Sequence, residues 1–185
     1  MRKVIYAINL TLDGCLDHTL MVPDEALLYD YSTQLMGAVD TLLFGRKTYE
    51  LMVPYWPDIA KDPSESQADR DFGQVFVSKN IVVFSRTLAG SEDSNTRIVR
   101  ANLRDEILKL KQEPGKDILL GGVDLASQLM ELGLVDEFRF VVHPVIAGQG
   151  RRLMEGANLQ EKLKLKLVDS KVFQSGAVAL RYVKQ

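Results

Sequence analysis

The sequence predicts an α/β fold: a mostly parallel central sheet with helices on both faces and an antiparallel C-terminal edge. Three observations carry this. Short runs of β-forming residues alternate with helically spaced apolar residues through the first two thirds of the chain. Two of the strand-to-helix junctions are glycines, at Gly45 and at Gly121-Gly122. After Gly133 the strand-like segments follow one another with no comparable helix between them.

Val4 to Leu12 is rich in β-formers and ends at Asp13-Gly14, which turns the chain, so it reads as a first, buried strand. From Asp24, a plausible N-cap after Pro23, residues Leu27, Leu28, Tyr31, Leu35 and Val39 recur at intervals of three and four, the pattern of an amphipathic helix. Asp40 to Gly45 is a short apolar strand closed by glycine, and Arg46 to Met52 resumes helical spacing. Pro54, Pro57 and Pro63 surround Trp56 and a polar stretch to Asp71, which reads as the least regular segment and a candidate pocket border. Ile81 to Ser85 is a strand and Arg97 to Arg100 a weaker one. Leu103 to Lys111 is a helix stopped by Pro114-Gly115. Asp117 to Gly122 repeats the strand-into-glycine device, followed by a helix from Asp124 to Leu132. Glu137 to Ile146, Leu163 to Phe173 and Val178 to Val183 are the late strands, with a hairpin turn at Gln174-Ser175-Gly176.

The 185 residues suit one domain, 1–185, and the content of 46% hydrophobic and 26% charged residues is ordinary for a globular chain. A formal charge of −2 gives no general attraction to nucleic acid or anionic lipid, so any anion site must be local. One cysteine, Cys15, and two histidines, His18 and His143, offer no zinc-spaced cluster, and no metal is expected. The N-terminal apolar stretch is interrupted by Asn9, Thr11 and Asp13, unlike a signal peptide or membrane span, and a cytoplasmic protein is expected.

Glycine-bearing turns between a strand and a helix leave unpaired N–H groups at helix N-termini, where peptide dipoles favour a phosphate. Parallel strands would bring both such turns to one sheet edge. Thr48 adds a hydroxyl donor, and Arg46 and Lys47 add charge. A nucleotide is the natural ligand, although each turn taken alone is equally consistent with simple relief of crowding. The chain has neither G-x-G-x-x-G after its first strand nor G-x-x-x-x-G-K-[ST], so the sequence does not point to a standard Rossmann site or P-loop.

Four segments in order, FGRKTYE (Phe44 to Glu50), VVFSRTL (Val82 to Leu88), ILLGGVDLASQLM (Ile118 to Met130) and VDEFRFVVHPVIAGQGRRLM (Val135 to Met154), together with YAINLTLDG, resemble the dihydrofolate-reductase-like superfamily. More narrowly they resemble the C-terminal reductase domain of the bifunctional riboflavin-biosynthesis deaminase-reductases and its stand-alone relatives. The resemblance implies a three-layer sandwich and NADPH as cofactor. It places the adenosine 2'-phosphate at Arg46, Lys47, Ser85 and Arg86, and the pyrophosphate at Gly45, Thr48, Gly121, Gly122, Val123, Asp124 and Leu125. It sets Ala7 and Ile8 along the nicotinamide and starts a covering loop at Asp13-Gly14. It also implies a homodimer built on the late strands. A guanidinium suits the doubly charged phosphate that NADH lacks.

The substrate end is less marked. Dihydrofolate reductases carry a substrate-binding carboxylate on the first helix. Counting back from Gly45 reaches Tyr29, beside Asp30, so Asp30 is the candidate catalytic acid, with an exposed helical aspartate as the plainer alternative. A phosphorylated pyrimidine substrate would require a second anion site, for which Arg151 and Arg152 are candidates and a basic surface loop the alternative. Trp56 is a candidate platform for a flat substrate or a core residue, and His143 a pocket residue or a structural one. The zinc-binding H-x-E and P-C-x-x-C elements of the deaminase half have no counterpart in these residues, so a riboflavin-pathway role would need a separate deaminase. The expected activity is reduction of a small heterocycle, most like 5-amino-6-(5-phosphoribosylamino)uracil reductase. The alternatives are a dihydrofolate reductase and a non-catalytic nucleotide-binding module.

Overall fold

Eight strands hydrogen-bond into one sheet. The structure, a computed structural model, describes residues 1–21 and 27–185; at 28–30 it describes the backbone. The order across the sheet is β4-β3-β2-β5-β1-β6-β8-β7, for β1 (Val4–Thr11), β2 (Val39–Gly45), β3 (Asn80–Phe84), β4 (Thr96–Val99), β5 (Asp117–Leu120), β6 (Glu137–His143), β7 (Leu165–Val172) and β8 (Val178–Lys184). The first six are mutually parallel, and the β7–β8 hairpin closes one side antiparallel. That is the α/β sheet with an antiparallel edge expected from the sequence. The turn at Gln174-Ser175-Gly176 forms as expected: Gly176 sits at φ +84 and its N–H donates to the Phe173 carbonyl at 3.0 Å.

Alternate strand residues feed two helical layers. Val4, Tyr6, Leu43, Val82, Ile118, Leu120 and Phe138 pack on one face against helices α5 (Leu103–Gln112) and α6 (Asp124–Glu131), through Ile107, Leu110, Leu125 and Leu129. Ile5, Leu42, Phe44, Ile81 and Val83 point to the other face. There they meet α1 (Gln34–Ala38), α2 (Arg46–Met52) and α4 (Gln67–Val77), with α3 (Tyr55–Ile59) packed beside α4. Each fully buried Leu, Ile or Val contributes about 1.5–3 kcal/mol, so this alternation is the main reason the register holds.

Two departures from the sequence reading concern the helices. The segment from Pro54 to Asp71, expected to be irregular and to border a pocket, contains α3 and the start of α4, and none of it lines the main cleft. The helix forms because Ala68, Phe72 and Phe76 recur every four residues and are buried, and because the Ser66 hydroxyl accepts from the Asp69 N–H at 3.1 Å as an N-cap. The first helix is not a uniform α-helix: Leu28–Thr33 is π-helical and runs directly into α1. The cap expected at Pro23-Asp24 lies outside the described residues.

The lower sheet edge, where the parallel strands begin, is sealed by paired charges. The buried Arg2 guanidinium binds Asp40 and donates to the Thr41 hydroxyl at 2.7 Å, and Lys111 meets Asp136 at 2.7 Å. The upper edge, where they end, is open.

Candidate functional site

All the parallel strands end along one side of the sheet, and the cleft there has a volume of about 1230 Å³. That exceeds the ~300–1,000 Å³ of a site for one drug-sized ligand and leaves room for two.

One half of the cleft is made of backbone. β2 and β5 are adjacent and parallel, with Leu43 opposite Leu120, and the Gly121 N–H donates to the Leu43 carbonyl at 3.1 Å. Their two glycine turns therefore meet. Gly122 has φ +86, and a Cβ there would fall well inside contact distance of the Thr48 hydroxyl. At Gly121 a Cβ would lie 2.9 Å from the Phe44 ring. Only glycine fits this approach of one turn to the other. The helices that follow, α2 after Gly45 and α6 after Val123, have no side-chain cap, whereas Ser66 caps α4 and Asn102 caps α5. The N–H groups opening α2 and α6 thus face the cleft without a side-chain acceptor, in the field of two helix dipoles.

Basic side chains surround this cradle. Arg46, Lys47, Arg86 and Arg100 all line the cleft. Arg46 donates to Glu50 at 2.6 Å and to the Thr87 hydroxyl at 2.9 Å. The Ser85 hydroxyl accepts from the Leu88 N–H at 3.0 Å, folding the turn that carries Arg86. Phe84 of β3 pairs with Val99 of β4, so Arg86 and Arg100 leave neighbouring strand ends. Arg151 crosses to the start of α6 and donates to Asp124 at 2.6 Å. That hydrogen bond, acting against the partial burial of the group, holds the Asp124 carboxyl below its usual pKa.

The other half is made of side chains. Ala7, Ile8 and Asn9 of β1 line its wall, with Tyr31, Ser32 and Leu35 from the first helix and Arg139 and Val141 from β6. Arg139 lies directly across from Ala7 in the β1–β6 register. Its Nε donates to Glu137 at 2.7 Å, and Arg181 donates to the same carboxylate at 2.9 and 3.0 Å. Burial pushes the Glu137 pKa up, but the hydrogen bonds from Arg181 and Arg139 outweigh it and hold the carboxyl below its ordinary value. The Tyr31 hydroxyl is buried beside the Arg139 guanidinium. Burial raises its pKa, with the nearby Arg139 guanidinium opposing the shift.

The loop after β1 is pinned to the loop after β6. Asp13 accepts from the N–H groups of Ala147 at 3.0 Å and Gly148 at 2.9 Å, and from the Thr11 hydroxyl at 2.6 Å. The Thr11 bond first, then the Ala147 N–H, lowers the Asp13 pKa. Arg152 donates to the Asp13 carbonyl. The loop then delivers Leu16, His18 and Met21 to the cleft.

The cleft thus gathers Ala7, Ile8, Gly45, Arg46, Lys47, Thr48, Ser85, Arg86, Gly121, Gly122, Val123, Asp124, Leu125 and Arg151. Gly14 takes φ +81 at the loop start and is not among the lining residues. Trp56 packs on Phe72, with ring centroids 4.4 Å apart, and is outside the lining, as a core residue would be. His143 is buried and bonds the Asn9 side chain at 3.1 Å. The side chain of Asp30 lies outside the described residues. Sequence reasoning missed Asn9, Tyr31, Arg100 and Arg139. The alternation in EFRFVVH, which sets two charged residues among the buried positions of one strand face, is a signal that could have found Arg139. Among the described residues no group of three or more His, Cys, Asp or Glu side chains is placed to hold a metal ion, and no helix is long and apolar enough to cross a membrane.

A cradle that a Cβ would fill, two helix N-termini without side-chain caps and a basic rim fit a dinucleotide with an additional phosphate. Comparison with known proteins agrees on the fold. The family model of the RibD C-terminal domain matches residues 2–179. The uncharacterized protein YyaP of Bacillus subtilis (strain 168) is 35% identical over 98% of this chain and 94% of its own length. The Thermotoga maritima diaminohydroxyphosphoribosylaminopyrimidine deaminase/5-amino-6-(5-phosphoribosylamino)uracil reductase superposes with a TM-score of 0.68 at 16% identity, covering 100% of this chain and 57% of that one. Dihydrofolate reductase from Enterococcus faecalis, complexed with NADP(H), superposes with a TM-score of 0.62 at 14% identity over 99% of this chain and 96% of its own.

Proposed function

The chain belongs to the RibD C-terminal domain family, and from that premise we propose that it is a single-domain, NADPH-dependent reductase of a small oxo-heterocycle, most like 5-amino-6-(5-phosphoribosylamino)uracil. The observation that carries the cofactor reading is the meeting of Gly122 with Thr48 between two helix N-termini, where a phosphate reaches bare backbone N–H groups.

The residues divide the work. Thr48 and the turn Gly121 to Leu125 hold the pyrophosphate, while Arg46, Lys47, Ser85 and Arg86 hold the 2'-phosphate and so select against NADH. Ala7 and Ile8 line the nicotinamide. When bound, the cofactor supplies the hydride. The chain's own part is to fix the two rings against each other and to exclude water with the loop pinned by Asp13. The 5-amino-6-(5-phosphoribosylamino)uracil reading accounts for a cleft large enough for a substrate beside a dinucleotide.

The same reading includes a cytoplasmic homodimer. β7 is an edge strand exposed along nearly its whole length, and its Leu167, Val168 and Val172 are 48, 44 and 74% exposed. An edge of that kind pairs readily with a second copy. Sedimentation of the purified protein should give twice the monomer mass.

The activity is tested by following NADPH absorbance with 5-amino-6-(5-phosphoribosylamino)uracil and, in parallel, dihydrofolate. Oxidation with the first alone is expected. Turnover of dihydrofolate alone would replace the substrate reading, and saturable NADPH binding without turnover of either would favour a nucleotide-binding module.

A further inference from the structure

Among the described residues, Arg139 is the arginine that lines the cleft from within a strand of the sheet, whereas Arg46 opens a helix and Arg86, Arg100 and Arg151 stand beyond strand ends. Its side chain is 18% exposed, and it rests on Glu137, which is 2% exposed. Arginine buried at that depth is costly unless paired, and here the pairing leaves part of the fork unspent: Glu137 takes Nε, while the guanidinium still lines the cleft. Beside it lies the buried Tyr31 hydroxyl, on which the Arg139 guanidinium acts by charge and by hydrogen bonding. The fork and the hydroxyl therefore form one polar group lining the cleft, Arg139 standing on the strand that pairs with β1 at Ala7.

The charge balance says what would satisfy them. Glu137 carries one negative charge against Arg139 and Arg181, and Asp169 adds a second beside Arg181. The floor is close to neutral, unlike the rim with Arg46, Lys47, Arg86 and Arg100. A phosphate dianion is suited to the rim. An uncharged ring edge bearing a carbonyl is suited to the floor, because a carbonyl oxygen has two lone pairs to accept from the N–H groups of the planar fork.

We infer that Arg139, held in place by Glu137, reads the acceptor edge of a neutral oxo-heterocycle lying against β1, with the Tyr31 hydroxyl as its second contact. This rests on the reductase reading above and assigns the substrate ring a recognition residue. Arg139 is a specificity-determining residue and Glu137 a positioning one.

The test titrates pterin and 6-aminouracil, both neutral oxo-heterocycles, into protein saturated with NADPH, with inorganic phosphate as a competitor. Wild type should bind at least one ring, and phosphate should not displace it. Arg139→Met should weaken the ring by about 10- to 100-fold, and Arg139→Lys by an intermediate factor, with NADPH affinity held within about threefold. Arg181→Gln damages the same ion-pair cluster without reaching the cleft. It should lower the melting temperature yet leave ring affinity within about threefold, a separation that a purely structural role for Arg139 would not give. Should Arg139→Met fail to fold, Arg139→Lys carries the comparison. Ring binding that is absent in wild type, unchanged in the folded Arg139 variants, or displaced by phosphate overturns the inference. NADPH titration on the same samples tells this failure from failure of the reductase reading: if NADPH still binds, only the ring assignment falls.

Discussion

The two halves of the cleft are built from different materials. The β2/β5 half is backbone: glycines at a close approach, helix N-termini without side-chain caps and a rim of exposed cations. The β1/β6 half is side chain: Asn9, Tyr31 and Arg139, steadied by the buried Glu137. In the proposed reading, backbone donors grip a group that every dinucleotide shares, so that half needs little variation to serve many reductases. In that reading, side chains spaced along three elements recognise one ring, and that half is where relatives on the same fold can diverge.

Perturbing each half separately should break the comparison or sharpen it. The largest effect is expected from Glu137→Ala, which strands two arginines. Removing one member of a buried ion pair costs about 3–5 kcal/mol, read as a lower urea midpoint, while NADPH affinity in the folded protein should hold. The same group sets a pH dependence. Its folded pKa is depressed below the ordinary 4.5. Its contribution to stability is therefore complete above that value and is lost as pH falls through the lower folded pKa. Glu137→Gln should flatten the acid limb of the stability curve there, and an unchanged limb would show that Glu137 is not the group responsible.

Next in size is Gly122→Val. It sets a β-branched residue at φ +86 and drives its Cβ into Thr48. Strain of about 1–3 kcal/mol and the blocked cradle should reduce NADPH affinity by roughly 100-fold or more, measured by fluorescence titration. Arg86→Ala should be smaller and selective: a loss of about 10- to 100-fold for NADPH with NADH unchanged, the mark of a charge-assisted contact to the 2'-phosphate. An equal loss for both cofactors would move Arg86 to some other part of the site. The smallest effect belongs to Trp56→Phe. Its Nε1 is buried without a hydrogen-bond partner among the described residues and its ring packs on Phe72, so the change should keep stability within about 1 kcal/mol. Ligand binding should not move.

The same contrast explains what the sequence disclosed. Gly45 and Gly121-Gly122 are legible because each device is local, an apolar strand, a glycine and a helix within a dozen positions or so. Their meeting through Thr48 follows from one further rule, that parallel strands end together. For Arg139 the alternation in EFRFVVH marks a charged pair on one strand face, but its place in the cleft depends on which strand of a late, all-β region lies beside β1. Arg100 is similar: it becomes a neighbour of Arg86 only once β3 and β4 pair. α4 escaped because its apolar positions, Ala68, Phe72 and Phe76, are diluted by polar residues after three prolines, although Ser66 marks its start. Counting back from Gly45 to a first-helix acid assumes a uniform α-helix, whereas Leu28–Thr33 is π-helical; the Asp30 side chain itself lies outside the described residues.

The central claim is that the backbone half of the cleft holds a dinucleotide and its basic rim chooses the phosphorylated form. Parallel titration of the wild-type protein with NADPH and NADH tests it most directly. Saturable NADPH binding, tighter than NADH by at least about tenfold, is the predicted result. Equal affinity for the two, or no binding of NADPH, would contradict it.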